Sequence, residues 1–161
     1  MRIPDWLRLR IFNRLQQRVV AARAPDVLIG SEGDTYMRRW WVIPRNRLFN
    51  VYLHNFLRSD DDCALHDHPW WNASILLDGK YTEHTISAGG VNHRIEYTAG
   101  AMKLRGAKYA HRVELTDGSC WSLFITGPTL RSWGFHCPQG WRPWKEFVDG
   151  KDSGRIGRGC D

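Results

Sequence analysis

The stretch Leu65-His66-Asp67-His68-Pro69-Trp70-Trp71-Asn72-Ala73-Ser74-Ile75-Leu76-Leu77-Asp78-Gly79 sets two histidines two residues apart, ahead of a β-rich apolar run and a turn dipeptide. Alternate side chains of a strand share a face, so His66 and His68 point one way and Asp67 the other. Asp67 is read as a loop-fixing carboxylate rather than a ligand. Two imidazoles from one strand are half of a metal site; zinc, iron, nickel and copper all accept them, and a third donor must come from elsewhere. His111 is that candidate, because Val113 and Leu115 share its parity in the run 111–115, as at an inward-facing position. Cys63, in Cys-x-x-His-x-His, is read as an ordinary thiol. His84, His93 and His136 stand in no comparable motif and are read as structural.

Outward from this stretch, short β-rich runs cover 35–43, 48–58, 70–77, 80–86, 91–97, 101–105, 110–115 and 121–126. Turn signals separate them, among them the acidic turn 59–62, Asp78-Gly79 and Ala88-Gly89-Gly90. Their short spacing without intervening helical patterns predicts an all-β antiparallel jelly roll. Asp117-Gly118 reads as a two-residue hairpin that pairs Leu115 with Cys120, Val113 with Ser122 and His111 with Phe124. That register puts Ser122 and Phe124 on the metal face, and a one-residue slip puts Leu123 and Trp121 there. Residues 4–23, with Pro4 at the start and Trp6, Leu7, Ile11, Phe12, Leu15, Val19 and Val20 near the helical period, predict an amphipathic helix ended before Pro25. The organisation read is an N-terminal helix over 1–26, a barrel with a C-terminal aromatic flap (127–148) over 27–148, and a flexible tail over 149–161.

The chain has 161 residues, 42% hydrophobic and 25% charged, which suits one domain with its own core and argues against disorder. No apolar run approaches the ~20 residues of a membrane span, and the charged N-terminus does not read as a secretory signal. Cys63, Cys120, Cys137 and Cys160 form no C-x-x-C pair, so no disulfide framework is expected and a reducing cytoplasm is. Of the 23 basic residues behind the +6 charge, 18 are Arg, dispersed enough that a solvated basic helix is preferred to a nucleic-acid surface. Nine tryptophans point to a wide interior or an aromatic-walled pocket.

These residues resemble the cupins, small β-barrels that commonly hold one metal. The first cupin motif, G-x5-H-x-H-x3,4-E-x6-G, is matched by His66, His68 and Gly79, with Asn72 in place of the glutamate. In the second, G-x5-P-x-G-x2-H-x3-N, Gly100 and His111 keep their spacing, while Gly106, Lys108 and Leu115 replace the P, G and N. The resemblance covers about residues 35–127 and implies a double-stranded β-helix with His66, His68 and His111 as metal ligands. Asn72 is then a weak ligand, a hydrogen-bond partner or a substrate contact. Thiol and diketone dioxygenases of the cupin type also use three histidines, so the resemblance implies iron(II), with zinc, nickel or manganese as other divalent choices, and an oxygen-dependent reaction on a small molecule. Trp70, Asn72, Arg105 and Phe124 are the substrate contacts expected, with Arg105 or Arg58 anchoring an anionic group; for Arg58 an ion pair with the acidic turn is the other reading. A zinc hydrolase, hydratase or isomerase on the same site and a non-enzymatic ligand-binding or structural cupin are the alternatives. A homodimer follows from resemblance alone.

Overall fold

A computed structural model describes residues 1–31, 33–60, 64–152 and 154–161. Cys63 and part of the acidic turn, residues 61 and 62, lie outside the described residues. Helix α1 (Asp5–Leu15) continues into a π-helical turn over Gln16–Val20. The strands are β1 (Val27–Ser31), β2 (Asp34–Trp41), β3 (Asn50–Phe56), β4 (Leu65–His66), β5 (Asn72–Asp78) and β6 (Lys80–Ile86). They continue with β7 (Asn92–Thr98), β8 (Met102–Arg105), β9 (Arg112–Glu114), β10 (Cys120–Thr126), β11 (Gly134–Cys137) and β12 (Gly140–Pro143), before the short helix α2 (Trp144–Phe147).

One face is a six-stranded sheet in the order β1-β2-β3-β10-β5-β8; the other consists of two three-stranded sheets, β12-β11-β4 and β7-β6-β9. His66 and His111 join those two sheets. Each donates its backbone N–H to the other's carbonyl, at 2.9 and 3.0 Å, in an antiparallel bridge. Directly opposed residues of such a pair project to the same side, so the seam aims both imidazoles into the space between the faces.

The alternation of β2, β3 and β10 decides which side chains see that space. Trp40 and Leu53 face outward, where with Leu77 they form a buried cluster covered by Ile11, Phe12, Leu15, Val19 and Val20. The π-helical bond from Ala21 N–H to Gln16 O, 2.9 Å, widens the last turn and lets Leu15, Val19 and Val20 share one side. The helix is thus docked, although Trp6 stays 66% exposed and outside the apolar face. Arginines interleaved with that face are partly pinned, Arg8 by Asp5 and the Leu77 carbonyl, Arg23 by Asp26 and the Trp41 carbonyl. Each large apolar side chain taken from water contributes roughly 1.5–3 kcal/mol when fully buried. Deleting residues 1–23 is therefore expected to lower the melting temperature by about 10 °C or more, and an unchanged melt would remove the docked-helix assignment.

One turn expectation is corrected. Asp117-Gly118 does turn, with Gly118 at φ +59°, but β9 and β10 are not a hairpin. β9 pairs with β6, and both edges of β10 are taken, by β3 and β5. The chain crosses between the two faces there. It does so again at Gly79, whose φ is +79° and where a Cβ would stand 2.6 Å from the Ser119 carbonyl oxygen, so only glycine fits.

The cysteines also differ from expectation. Cys137 and Cys160 are disulfide-bonded, which removes the cysteine-based argument for a reducing compartment. Within the segment expected as a flexible tail (149–161), Ile156 bridges Val148, and the carbonyls of Gly159 and Asp161 accept from Arg142. Among the described residues no helix is long and apolar enough to cross a membrane.

Candidate metal centre and its cavity

His66, His68 and His111 converge, with candidate ligand nitrogens all within 4.8 Å of one another. His68 Nε2 and His111 Nε2 are 3.0 Å apart, a separation that two bonds of about 2.1 Å span when they meet near a right angle. No carboxylate joins this cluster among the described residues.

Each ring is held from behind. His111 Nδ1 lies 3.1 Å from Glu83 Oε2, which fixes its N–H on that side and turns the Nε2 lone pair inward. Glu83 is fully buried and accepts from three further donors: Lys103 Nζ at 3.0 Å, Arg105 Nη2 at 2.5 Å and the Tyr109 hydroxyl at 3.1 Å. Burial alone would raise the Glu83 carboxyl, but the His111 hydrogen bond and the Arg105 guanidinium hold it below its ordinary value. Burial, with Arg105 beside it, presses the Lys103 ammonium down to about 7. His66 Nδ1 is 3.8 Å from Asp60 Oδ2, and that carboxylate is itself fixed by the Val113 amide at 2.7 Å. His68 stacks on Trp70, with centroids 4.9 Å apart and planes 13° from parallel.

Burial drives the His66 pKa down to about 4 and that of His68 well below 6.5. Both are neutral lone-pair donors at pH 7, the form a metal needs. The donor set therefore fits a divalent ion.

Asp67, between the two ligands, faces away as alternation requires. Its buried carboxylate takes Gly134 N–H at 2.9 Å, Arg131 Nη1 at 2.8 Å and Trp141 Nε1 at 3.1 Å, with His136 Nε2 at 3.2 Å. It thereby ties the aromatic flap to the metal strand. His84 contacts Glu114 and His93 contacts Ser87, both away from the centre.

The three histidines line a cavity of about 480 Å³ between the two faces, within the usual size of small-molecule sites. Trp70 and Phe124 line it. Phe124 arrives there through its register opposite Tyr52 and Ser74 rather than opposite His111. Asn72 and Arg105 do not line it. Asn72 is buried at the start of β5, in register with Arg105 and Thr126, and its Nδ2 has no hydrogen-bond partner among the described residues. Arg105 acts on the site through Glu83. Arg58 pairs with Asp34 at 3.0 Å.

Two guanidiniums line the cavity: Arg155, which pairs with Asp34 at 3.6 Å, and Arg39, which strand parity around the histidine motif did not single out. Arg39 lies opposite His54 in the β2–β3 register and donates Nε–H to His54 Nε2 at 2.9 Å. Burial, with Arg39 next to it, holds the His54 pKa well below 6.5, so His54 accepts as a neutral ring. Arg39 also sits over the Tyr52 ring at 5.2 Å, and no carboxylate among the described residues pairs with it. The detectable signal was its alternation with Met37, facing the His54 and Phe56 side of β3.

This architecture is the double-stranded β-helix of the cupin type, with three histidines that can hold a divalent metal. No family model matches the sequence and no curated protein matches it. Solved structures are similar in fold. A structure of Fe(II)-HppE with the alternative substrate (S)-1-HPP aligns at a TM-score of 0.52 and 13% identity, over 65% of this chain and 56% of that one. Bacillus subtilis oxalate decarboxylase, in a study of its Mn(II) centres, aligns at 0.51 and 17% identity, over 71% of this chain and 30% of that one. An uncharacterised protein with a double-stranded β-helix domain from Klebsiella pneumoniae aligns at 0.50 and 14% identity, over 67% of this chain and 89% of that one. This chain thus spans little more than half of the first and under a third of the second.

Proposed function

We propose that this protein is a metal-dependent cupin that acts as a non-haem iron(II) oxygenase on a small anionic molecule. The reading is carried by one observation: a single cavity joins three converging histidines, without a carboxylate ligand, to a guanidinium that has no acidic partner among the described residues. Iron(II), when bound, would supply electrons for oxygen chemistry that no side chain here can provide. The chain's own residues do the rest. His66, His68 and His111 hold the ion, and Glu83 and Asp60 orient two of those rings. Arg39 orients the anion by a charge-assisted fork, and Trp70, Phe124 and Phe135 exclude water. An ion held only by neutral donors favours a negatively charged ligand beside it, and Arg39 adds to that preference.

The test is anaerobic loading with iron(II), followed by an oxygen electrode with small carboxylates, including thiol carboxylates, and with uncharged diketones. Substrate-dependent oxygen uptake is expected with the anionic compounds. Arg39→Leu should raise KM about 10–100-fold, with a smaller change in kcat, since a hydrogen bond to a charged group contributes about 1.5–3 kcal/mol. Preference for the diketones would sink the anionic substrate class. Zinc as the only metal retained, with no oxygen uptake across the panel, would favour the hydrolytic reading instead.

A further inference from the structure

The C-terminal segment is a wall of the metal cavity. Gly154, Arg155 and Ile156 line it beside Val27, Leu28 and Ile29 of β1. Gly154 lies so close to β1 that a Cβ there would stand 2.7 Å from the Gly30 nitrogen, which makes the fit backbone to backbone. On the other side, the Phe147 carbonyl accepts the amides of Gly157 at 2.9 Å and Gly159 at 3.0 Å. Ile156 is the one large apolar side chain between 154 and 161, and it is 43% exposed. The segment therefore has little hydrophobic hold of its own. Its end is secured by the Arg142 hydrogen bonds to the Gly159 and Asp161 carbonyls and by the one covalent tie, the disulfide from Cys160 to Cys137, 23 residues apart in sequence. Cys137 is on β11, whose Phe135 pairs with His66. Both cysteines are half-buried and within reach of a small reductant.

We propose that Cys137–Cys160 is a redox latch: the disulfide holds residues 154–161 across the cavity, and its reduction by a dithiol frees them and opens the way to the histidines. The dithiol gives up two electrons and two protons and leaves as its own disulfide, while the S–S bond breaks to give two thiols. A ring of this size restricts the open chain enough that its loss raises local opening on the order of a hundredfold. The inference depends on the cavity and the strap, not on which metal or reaction the site serves.

The experiment uses metal-free, full-length protein in a Cys63→Ser background. Cys120 is buried and its thiol is pushed up to about 12, so thiol chemistry falls on the pair. Oxidised protein, protein reduced with dithiothreitol and alkylated, and Cys160→Ser are compared by hydrogen–deuterium exchange and by diethylpyrocarbonate modification read by mass spectrometry. In both opened forms the Gly157 and Gly159 amides should exchange about a hundredfold faster. Modification of His66 and His68 should rise at least about tenfold relative to exposed His93, with the barrel's melt nearly unchanged. Faster strap exchange without faster histidine modification would overturn the latch as a gate. No change in either readout, or loss of the whole fold on reduction, would overturn it as well. Iron(II) titration of the same oxidised protein tests the metal reading separately, so the two can fail independently.

Discussion

His66→Ala and His111→Ala are each expected to bind cobalt(II) or iron(II) more than about a hundredfold more weakly than the unaltered chain, a larger loss than removing a residue that only orients a ligand. Every candidate ligand in the cluster is an imidazole, so no carboxylate remains among the described residues to hold the ion when one ring is gone. The bridge between the two sheets is made by backbone groups of His66 and His111, which alanine retains. The variants should therefore fold, and His93→Ala and His136→Ala serve as controls that bind normally. Elemental analysis after gel filtration gives the result, and stoichiometric metal in either ligand variant would show that the site has been misassigned.

Metal-free protein should lose stability steeply between pH 6.5 and 4.5. As pH falls through 6.5, the histidines of the unfolded chain take up protons, whereas in the folded chain His66 stays neutral until about 4, and burial holds His54 and His68 well below 6.5. The unfolded state binds more protons, so acid favours it. For His66 the gap from 6.5 to about 4 corresponds to about 3 kcal/mol when fully developed. Glu83, whose carboxyl is held below its ordinary 4.5, has the same sign but acts at lower pH, which leaves this window to the histidines. Thermal melts should fall by about 10 °C or more from pH 7.5 to 4.5. In His66→Ala the slope should be shallower, because one proton acceptor has been removed from the unfolded chain. A flat melting curve across this window would mean that these rings are not buried as described.

The eight runs were legible because each is β-rich and bounded by turn signals, and the eight corresponding strands lie within a few residues of the expected bounds. The convergence of His66 and His68 was legible from their spacing of two in extended backbone, which sets a shared face whatever that stretch pairs with. Three strands, β1, β11 and β12, were not read, and β4 ends at His66, short of the strand expected to carry both histidines. β1, β4, β11 and β12 are short or interrupted by glycine, and they are strands only because a neighbour pairs with them. The 117–118 turn shows the same limit. Its local chemistry correctly makes a bend, but whether a bend closes a hairpin or crosses between sheets depends on which edges of β10 are already occupied.

By itself, then, the sequence determined the strand periods, the docked N-terminal helix and the convergence of His66 and His68, because these follow from alternation and helical spacing within a few residues. Tertiary structure decided everything that joins distant segments. Arg39 rather than Arg105 faces the cavity because β2 pairs with β3, while β8 turns Arg105 toward Glu83. Cys137 meets Cys160 because the tail folds back over α2. Such contacts depend on which element fills which edge, and that is settled by the burial of the chain as a whole rather than by any local run.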